Sequence, residues 1–133
     1  MGEGKKLQIR NSAVDFLVFT KDAEENGIEV RVQDENVWLT QKAIGQLFDI
    51  DRSVVTKHLK KIFTDGELEE NSTCAFFAQV ADNGKTYRYK FYSLPAIIAV
   101  GYRVNSQRAT QFRQWATKVL ETFTKQGYVL DKP

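Results

Sequence analysis

The sequence predicts an α+β domain: a small antiparallel sheet, a helix-turn-helix of winged-helix type, and a long C-terminal helix. Three stretches carry that prediction. Trp38 to Phe63 holds two short amphipathic segments around a tight break. Cys74 to Tyr92 alternates around Asp82-Asn83-Gly84, and Asn-Gly is a strong hairpin cue. Ala109, Phe112, Ala116, Val119 and Phe123 form an apolar stripe at helical spacing, with Trp115 and Leu120 beside it.

Taken in order, residues 1–12 read as a loose polar lead and 13–130 as one domain. Phe16-Leu17-Val18-Phe19 is an apolar run expected as a strand, and Asn26-Gly27 is a turn signal. Ile28, Val30 and Val32 alternate with Glu29, Arg31 and Gln33 as a half-buried strand does; Asp34-Glu35-Asn36 turns into a short strand at Val37–Leu39. The helix-turn-helix spans about 40–63. Thr40 suits the first N-cap, and Ile44, Leu47 and Phe48 give its helix an apolar face. Many such units place Gly at the turn; Asp49 stands there, and Asp tolerates the left-handed region better than most residues. Asp51 or Ser53 can cap the second helix, whose apolar side is Val54, Val55, His58, Leu59, Ile62 and Phe63. Gly66 suits a C-cap, and Glu67 to Asn71 reads as an acidic linker turned away from any polyanion.

The hairpin spans about 73–92, with Tyr87, Tyr89 and Phe91 on one face and Arg88, Lys90 and Tyr92 on the other. Ser93-Leu94-Pro95 opens a short helix that Gly101 is expected to end, with Gly101 to Val104 as a connector. Asn105 or Ser106 caps the last helix, about 106–126, which Gly127 closes; Arg108, Gln111, Gln114, Lys118 and Lys125 cover its outer face.

Composition narrows the function. With 133 residues and 42% hydrophobic content, the chain can build a core. No apolar run has the length of a membrane span, and MGEGKKLQIR lacks the apolar core of a signal peptide, so a cytoplasmic protein is expected. The single cysteine, Cys74, lies in an apolar stretch and reads as a buried structural thiol. His58 is the only histidine and has no partner cluster, so neither catalysis nor a metal site is expected; no cofactor motif is present. Glu67, Glu69 and Glu70 read as a solvated linker rather than a magnesium site.

Net charge is only +2, but seven acids fall between Asp15 and Glu35 against Lys21 and Arg31. From Lys85 to Leu120 there are no acids, while Lys85, Arg88, Lys90, Arg103, Arg108, Arg113 and Lys118 are present. This segregation favours a polyanionic partner; the alternative is that these cations pair with the acidic N-terminal segment. Double-stranded DNA is the expected partner. Arg52, Ser53, Thr56, Lys57, Lys60 and Lys61 are the expected contacts from the second helix, with Lys85 and Arg88 from the hairpin as a wing. Arg108 stands beside free N–H groups in the first turn of the last helix and is a further contact candidate. For Tyr102 and Arg103 the structural expectation is packing on the sheet and pairing with the N-terminal acids. A dimer through the last helix is the minority reading, since no heptad seam is sustained.

Several motifs carry a family resemblance. VWLTQ at 37–41, FTDGELEENS at 63–72, NGKTY at 83–87, GYRVNSQR at 101–108 and FRQWA at 112–116 together resemble the RhuM family. These bacterial proteins are named for a virulence-associated member and are often found near phage-like or mobile elements. The likeness runs from about Val30 to Val129. The segment from Gly101 to Val129 also looks like the C-terminal part of BRO-N and phage antirepressor domains. The resemblance implies DNA binding and transcriptional or phage-type regulation without enzymatic activity, with Gln41 to Phe63 as the helix-turn-helix. RhuM-like chains are usually longer, which implies that this is their N-terminal domain. Antirepressors bind a repressor protein, so a protein-interaction module is the alternative.

Overall fold

The computed structural model describes residues 16–17, 19–20, 28–34 and 36–126, the side chains of 119–126 excepted. The polar lead, the turn at 26–27 and the end of the apolar stripe therefore lie outside the described residues. Strands β1 (Arg31–Gln33) and β2 (Asn36–Leu39) precede helices α1 (Gln41–Phe48) and α2 (Arg52–Thr64). A short helix α3 (Glu70–Thr73) leads into β3 (Cys74–Val80) and β4 (Thr86–Ser93), followed by α4 (Leu94–Arg103) and α5 (Gln107–Gln126).

The sheet is antiparallel throughout, in the order β1-β2-β4-β3. Trp38 pairs with Ser93 and Leu39 with Tyr92, so the strand entering the helix pair is bonded to the returning strand of the hairpin. One continuous backbone ladder thus ties the hairpin to the start of α1. Asp34, at φ 55°, makes the left-handed turn between β1 and β2, and the Trp38 indole donates to the Gln33 carbonyl at 3.1 Å.

Local chemistry accounts for the helix pair. Thr40 caps α1, its hydroxyl accepting from Ala43 N at 3.2 Å. Asp49 adopts the left-handed conformation at φ 55° and ψ 50°, and Ile50 N closes back on the Gly45 carbonyl at 2.9 Å. Asp51 caps α2 by accepting from Ser53 N at 2.9 Å. At the far end Gly66 sits at φ 75°, with Glu67 N on Ile62 O and Gly66 N on Phe63 O, the paired bonds of a Schellman ending. Gly45 is buried where α1 meets the start of α2. A Cβ there would stand 2.8 Å from the Ile50 carbonyl oxygen, a backbone atom that cannot swing away. Gly45→Ala is therefore expected to destabilise the domain by about 1–3 kcal/mol, the range for overpacking. A urea midpoint equal to the parent's would contradict this close approach.

The core lies between the helices and the inner face of the sheet: Val37, Leu39, Ile44, Leu47, Phe48, Val55, Leu59, Ile62, Ile97 and Val100 are buried. α5 closes it with Ala109, Phe112 and Ala116. The Phe112 ring lies 5.0 Å from Phe48 in an edge-on contact. Ser106 caps α5, accepting from Ala109 N at 3.1 Å, while its own hydroxyl donates to the Phe48 carbonyl at 2.8 Å. The last helix thus also satisfies the end of α1.

Four expectations are corrected. Phe16, Leu17, Phe19 and Thr20 are helical, not a strand. Phe16 is buried against Phe112 and Trp115, and a short apolar run has no period that separates the two states. Gly101 does not end α4, which continues to Arg103. Its lack of a side chain serves packing instead: a Cβ would lie 2.6 Å from the Phe112 ring and 3.0 Å from that of Phe48. The segment from Glu67 to Asn71 is not wholly linker, since α3 begins at Glu70. Val54, placed on the apolar side of α2, is 37% exposed.

Candidate nucleic-acid interface

α2 turns Val55, Leu59 and Ile62 into the core. Arg52, Ser53, Thr56, Lys57, Lys60 and Lys61 are all exposed. The structure thus brings six of the nine predicted contacts onto one helix. Lys61, near its C-terminal end, forms an ion pair with Asp65 at 3.4 Å. His58 is half-buried between the two sides. Burial pushes its pKa below the usual range, and the cations Arg103 and Lys57 act in the same direction. The unfolded chain, with His near its ordinary pKa of about 6.5, binds the proton more readily. His58 therefore favours the folded state above that pH, and the contribution is lost as pH falls. The urea midpoint is expected to drop between about pH 7 and pH 5.5, and to drop less in His58→Gln. Identical pH profiles for the two proteins would contradict this.

The hydroxyls of Ser53 and Thr56 are bonded to acceptors within the protein. Ser53 Oγ donates to Asp51 Oδ2, and these bonds from the Ser53 hydroxyl and N–H hold the Asp51 carboxyl below its ordinary pKa. Thr56 Oγ1 lies 2.6 Å from Gln41 Oε1 and 3.1 Å from the Arg52 carbonyl. Gln41 Nε2 in turn reaches the hydroxyl of buried Tyr92 at 2.9 Å.

The hairpin lies across a cleft of about 320 Å³ from α1 and from Arg52 at the start of α2. Lys42, Gln46 and Arg52 line one side, and Gln79, Asp82 and Tyr89 the other. Sequence reasoning missed Lys42. It is exposed in the first turn of α1, where the first helix of a helix-turn-helix crosses a DNA backbone, and that position was the available signal. Lys85 and Arg88 are exposed on the hairpin, as expected. Gly84 holds the left-handed position of its loop at φ 82°, and Lys85 N donates to Asn83 Oδ1 at 2.9 Å. Arg88 lies over the Phe76 ring at 5.4 Å.

The remaining cations of the acid-free stretch are largely engaged within the fold. Arg108 is half-buried, with Nε donating to the Leu47 carbonyl at 3.1 Å, so its head faces the end of α1. Arg113 donates to the carbonyls of Gly101 and Val104 at 2.9 and 2.7 Å, closing the end of α4. Lys90 pairs with Glu70, which raises its pKa. Among the described residues Arg103 pairs with Glu67 at 2.7 Å. Tyr102 is 48% exposed and meets Thr117 Oγ1 at 3.3 Å rather than packing on the sheet. Cys74 is half-buried, and burial pushes its thiol pKa up, away from thiolate chemistry. Among the described residues, no three His, Cys, Asp or Glu side chains come together to hold a metal, and no helix is long and apolar enough to cross a membrane.

Residues 72–133 match the model of the virulence protein RhuM family. The matched stretch begins inside α3 and covers the hairpin, α4 and α5; the helix pair with its basic face precedes it. No curated protein and no solved structure matches the chain.

Proposed function

We propose that this chain is a RhuM-like regulator that binds double-stranded DNA, with α2 in the major groove and the β3–β4 hairpin as a wing on the adjacent backbone. The observation that carries this reading is the division of α2: Val55, Leu59 and Ile62 are buried while Arg52, Ser53, Thr56, Lys57 and Lys60 stand exposed along it. A helix held by one apolar side and presenting cations and hydroxyls on the rest suits phosphate oxygens and base edges. The ladder between β2 and β4 supports the wing, because it fixes the hairpin to the scaffold that carries α2.

A fluorescence-anisotropy titration of the chain against a random duplex tests the reading. Binding that is strong at low salt and weakens steeply as salt rises is the expected result. No binding at low salt would sink it.

A second reading, an antirepressor-like module that binds a repressor or another protein, is favoured by one observation. Phe76 and Val80, on the same face of the hairpin as Arg88 and Lys90, are 53% and 66% exposed. Under that reading Phe76→Ser with Val80→Ser removes the protein partner, whereas Lys57→Ala with Lys60→Ala leaves that partner bound.

A further inference from the structure

Resting on the DNA-binding reading, we infer that Ser53 and Thr56 meet DNA only as hydrogen-bond acceptors, and so take a base amino group, adenine N6 or cytosine N4, rather than a phosphate oxygen. A hydroxyl has one proton to give and two lone pairs to receive with. The Ser53 proton goes to Asp51 Oδ2, and that carboxylate is itself fixed as the cap of α2 by Ser53 N at 2.9 Å. The Thr56 proton has two acceptors within the protein, Gln41 Oε1 at 2.6 Å and the Arg52 carbonyl at 3.1 Å.

The orientation of the Gln41 amide does not change this outcome. As placed, Gln41 Nε2 donates to the Tyr92 hydroxyl at 2.9 Å and Oε1 receives the Thr56 proton. With the amide turned over, Tyr92 donates to Gln41, Gln41 donates to Thr56, and the Thr56 proton passes to the Arg52 carbonyl. Either way the proton stays in the protein and a lone pair faces outward. Tyr92 is buried, so it holds one end of the amide in place, and Gln41 acts on DNA as a positioning residue for Thr56.

Phosphate oxygens, purine N7, guanine O6 and thymine O4 are all acceptors, and a hydroxyl with no free proton has nothing to offer them. Adenine N6 and cytosine N4 are the major-groove donors. Arg52 and Lys57 are the reverse case: they carry only donors and suit guanine N7 and O6 or phosphate. The exposed start of α2 thus presents acceptors from Ser53 and Thr56 interleaved with donors from Arg52 and Lys57.

Every base pair presents one amino group in its major groove, so base preference alone does not decide the matter. The test uses the tightest duplex from a randomised pool and deletes single groups from it. Purine in place of adenine, or pyrimidin-2-one in place of cytosine, removes the amino group. A 7-deazapurine removes N7, and a methylphosphonate neutralises one phosphate. At one base pair, loss of the amino group is expected to weaken the parent about three- to tenfold, the size of one hydrogen bond, and to leave Thr56→Val nearly unaffected. Ser53→Ala behaves likewise at a nearby pair. The N7 and phosphate changes should weaken parent and variants equally. Coupling of either hydroxyl to N7 or to a phosphate overturns the inference, as does the absence of any coupling to an amino group. A chain that selects no duplex overturns the DNA-binding reading, and this inference with it.

Discussion

Phe112→Ala is expected to lower the unfolding free energy by about 3–5 kcal/mol, the range for deleting a buried aromatic ring. The ring is fully buried and meets Phe48 at 5.0 Å, Phe19 at 5.7 Å and Trp115 at 5.3 Å. It also fills the space left by the absent side chain of Gly101. Its removal leaves a cavity where α1, α4 and α5 converge, and three rigid elements cannot close it without breaking the bonds from Ser106 and Arg108 to the carbonyls at the end of α1. Against a typical stability of about 5–15 kcal/mol, that decrease is a large fraction of the whole. Urea unfolding followed by tryptophan fluorescence reads it. A decrease under about 1 kcal/mol would mean that α5 is not part of the same cooperative core.

Lys57→Ala with Lys60→Ala is expected to leave stability within about 0.5 kcal/mol of the parent, as exposed substitutions do. Both side chains are exposed on α2, and neither forms an ion pair among the described residues. The effect should fall on DNA instead. Leaving two phosphates without their lysines corresponds to about a 10- to 100-fold weaker affinity near 0.1 M salt. Arg113 is the opposite case. That cation serves the carbonyls of Gly101 and Val104, so its replacement acts on folding and only through folding on binding.

The helix pair was legible in the sequence because its determinants are local. Thr40, Asp49 and Asp51 each act on backbone within a few residues, and the spacing of Val55, Leu59 and Ile62 states the buried side directly. The β3–β4 hairpin was legible for the same reason, from alternation around one left-handed glycine. What escaped depends on neighbours distant in the chain. Gly101 looks like a helix terminator until the Phe112 ring is seen against it. The apolar run at Phe16 shows no period of its own, and its helical state is accompanied by packing on Phe112 and Trp115. The acid-free stretch favoured a polyanionic partner, with pairing inside the fold as the alternative. Yet Arg103 and Lys90 pair with acids just after α2, and Arg108 and Arg113 serve the ends of helices whose carbonyls no sequence pattern advertises. Of the candidate interface, the exposed face of α2 was readable, whereas the bonds of Ser53 and Thr56 within the protein and the place of Lys42 beside the cleft were not.

The proposed function depends above all on α2 lying against DNA phosphates. The decisive measurement is the salt dependence of binding to one fixed duplex, for the parent and for Lys57→Ala with Lys60→Ala. The slope of log K against log salt is expected to be shallower in the variant by about 1.8, at about 0.9 for each phosphate that a lysine no longer neutralises. Equal slopes and equal affinities in the two proteins would place α2 away from the DNA and contradict the proposal.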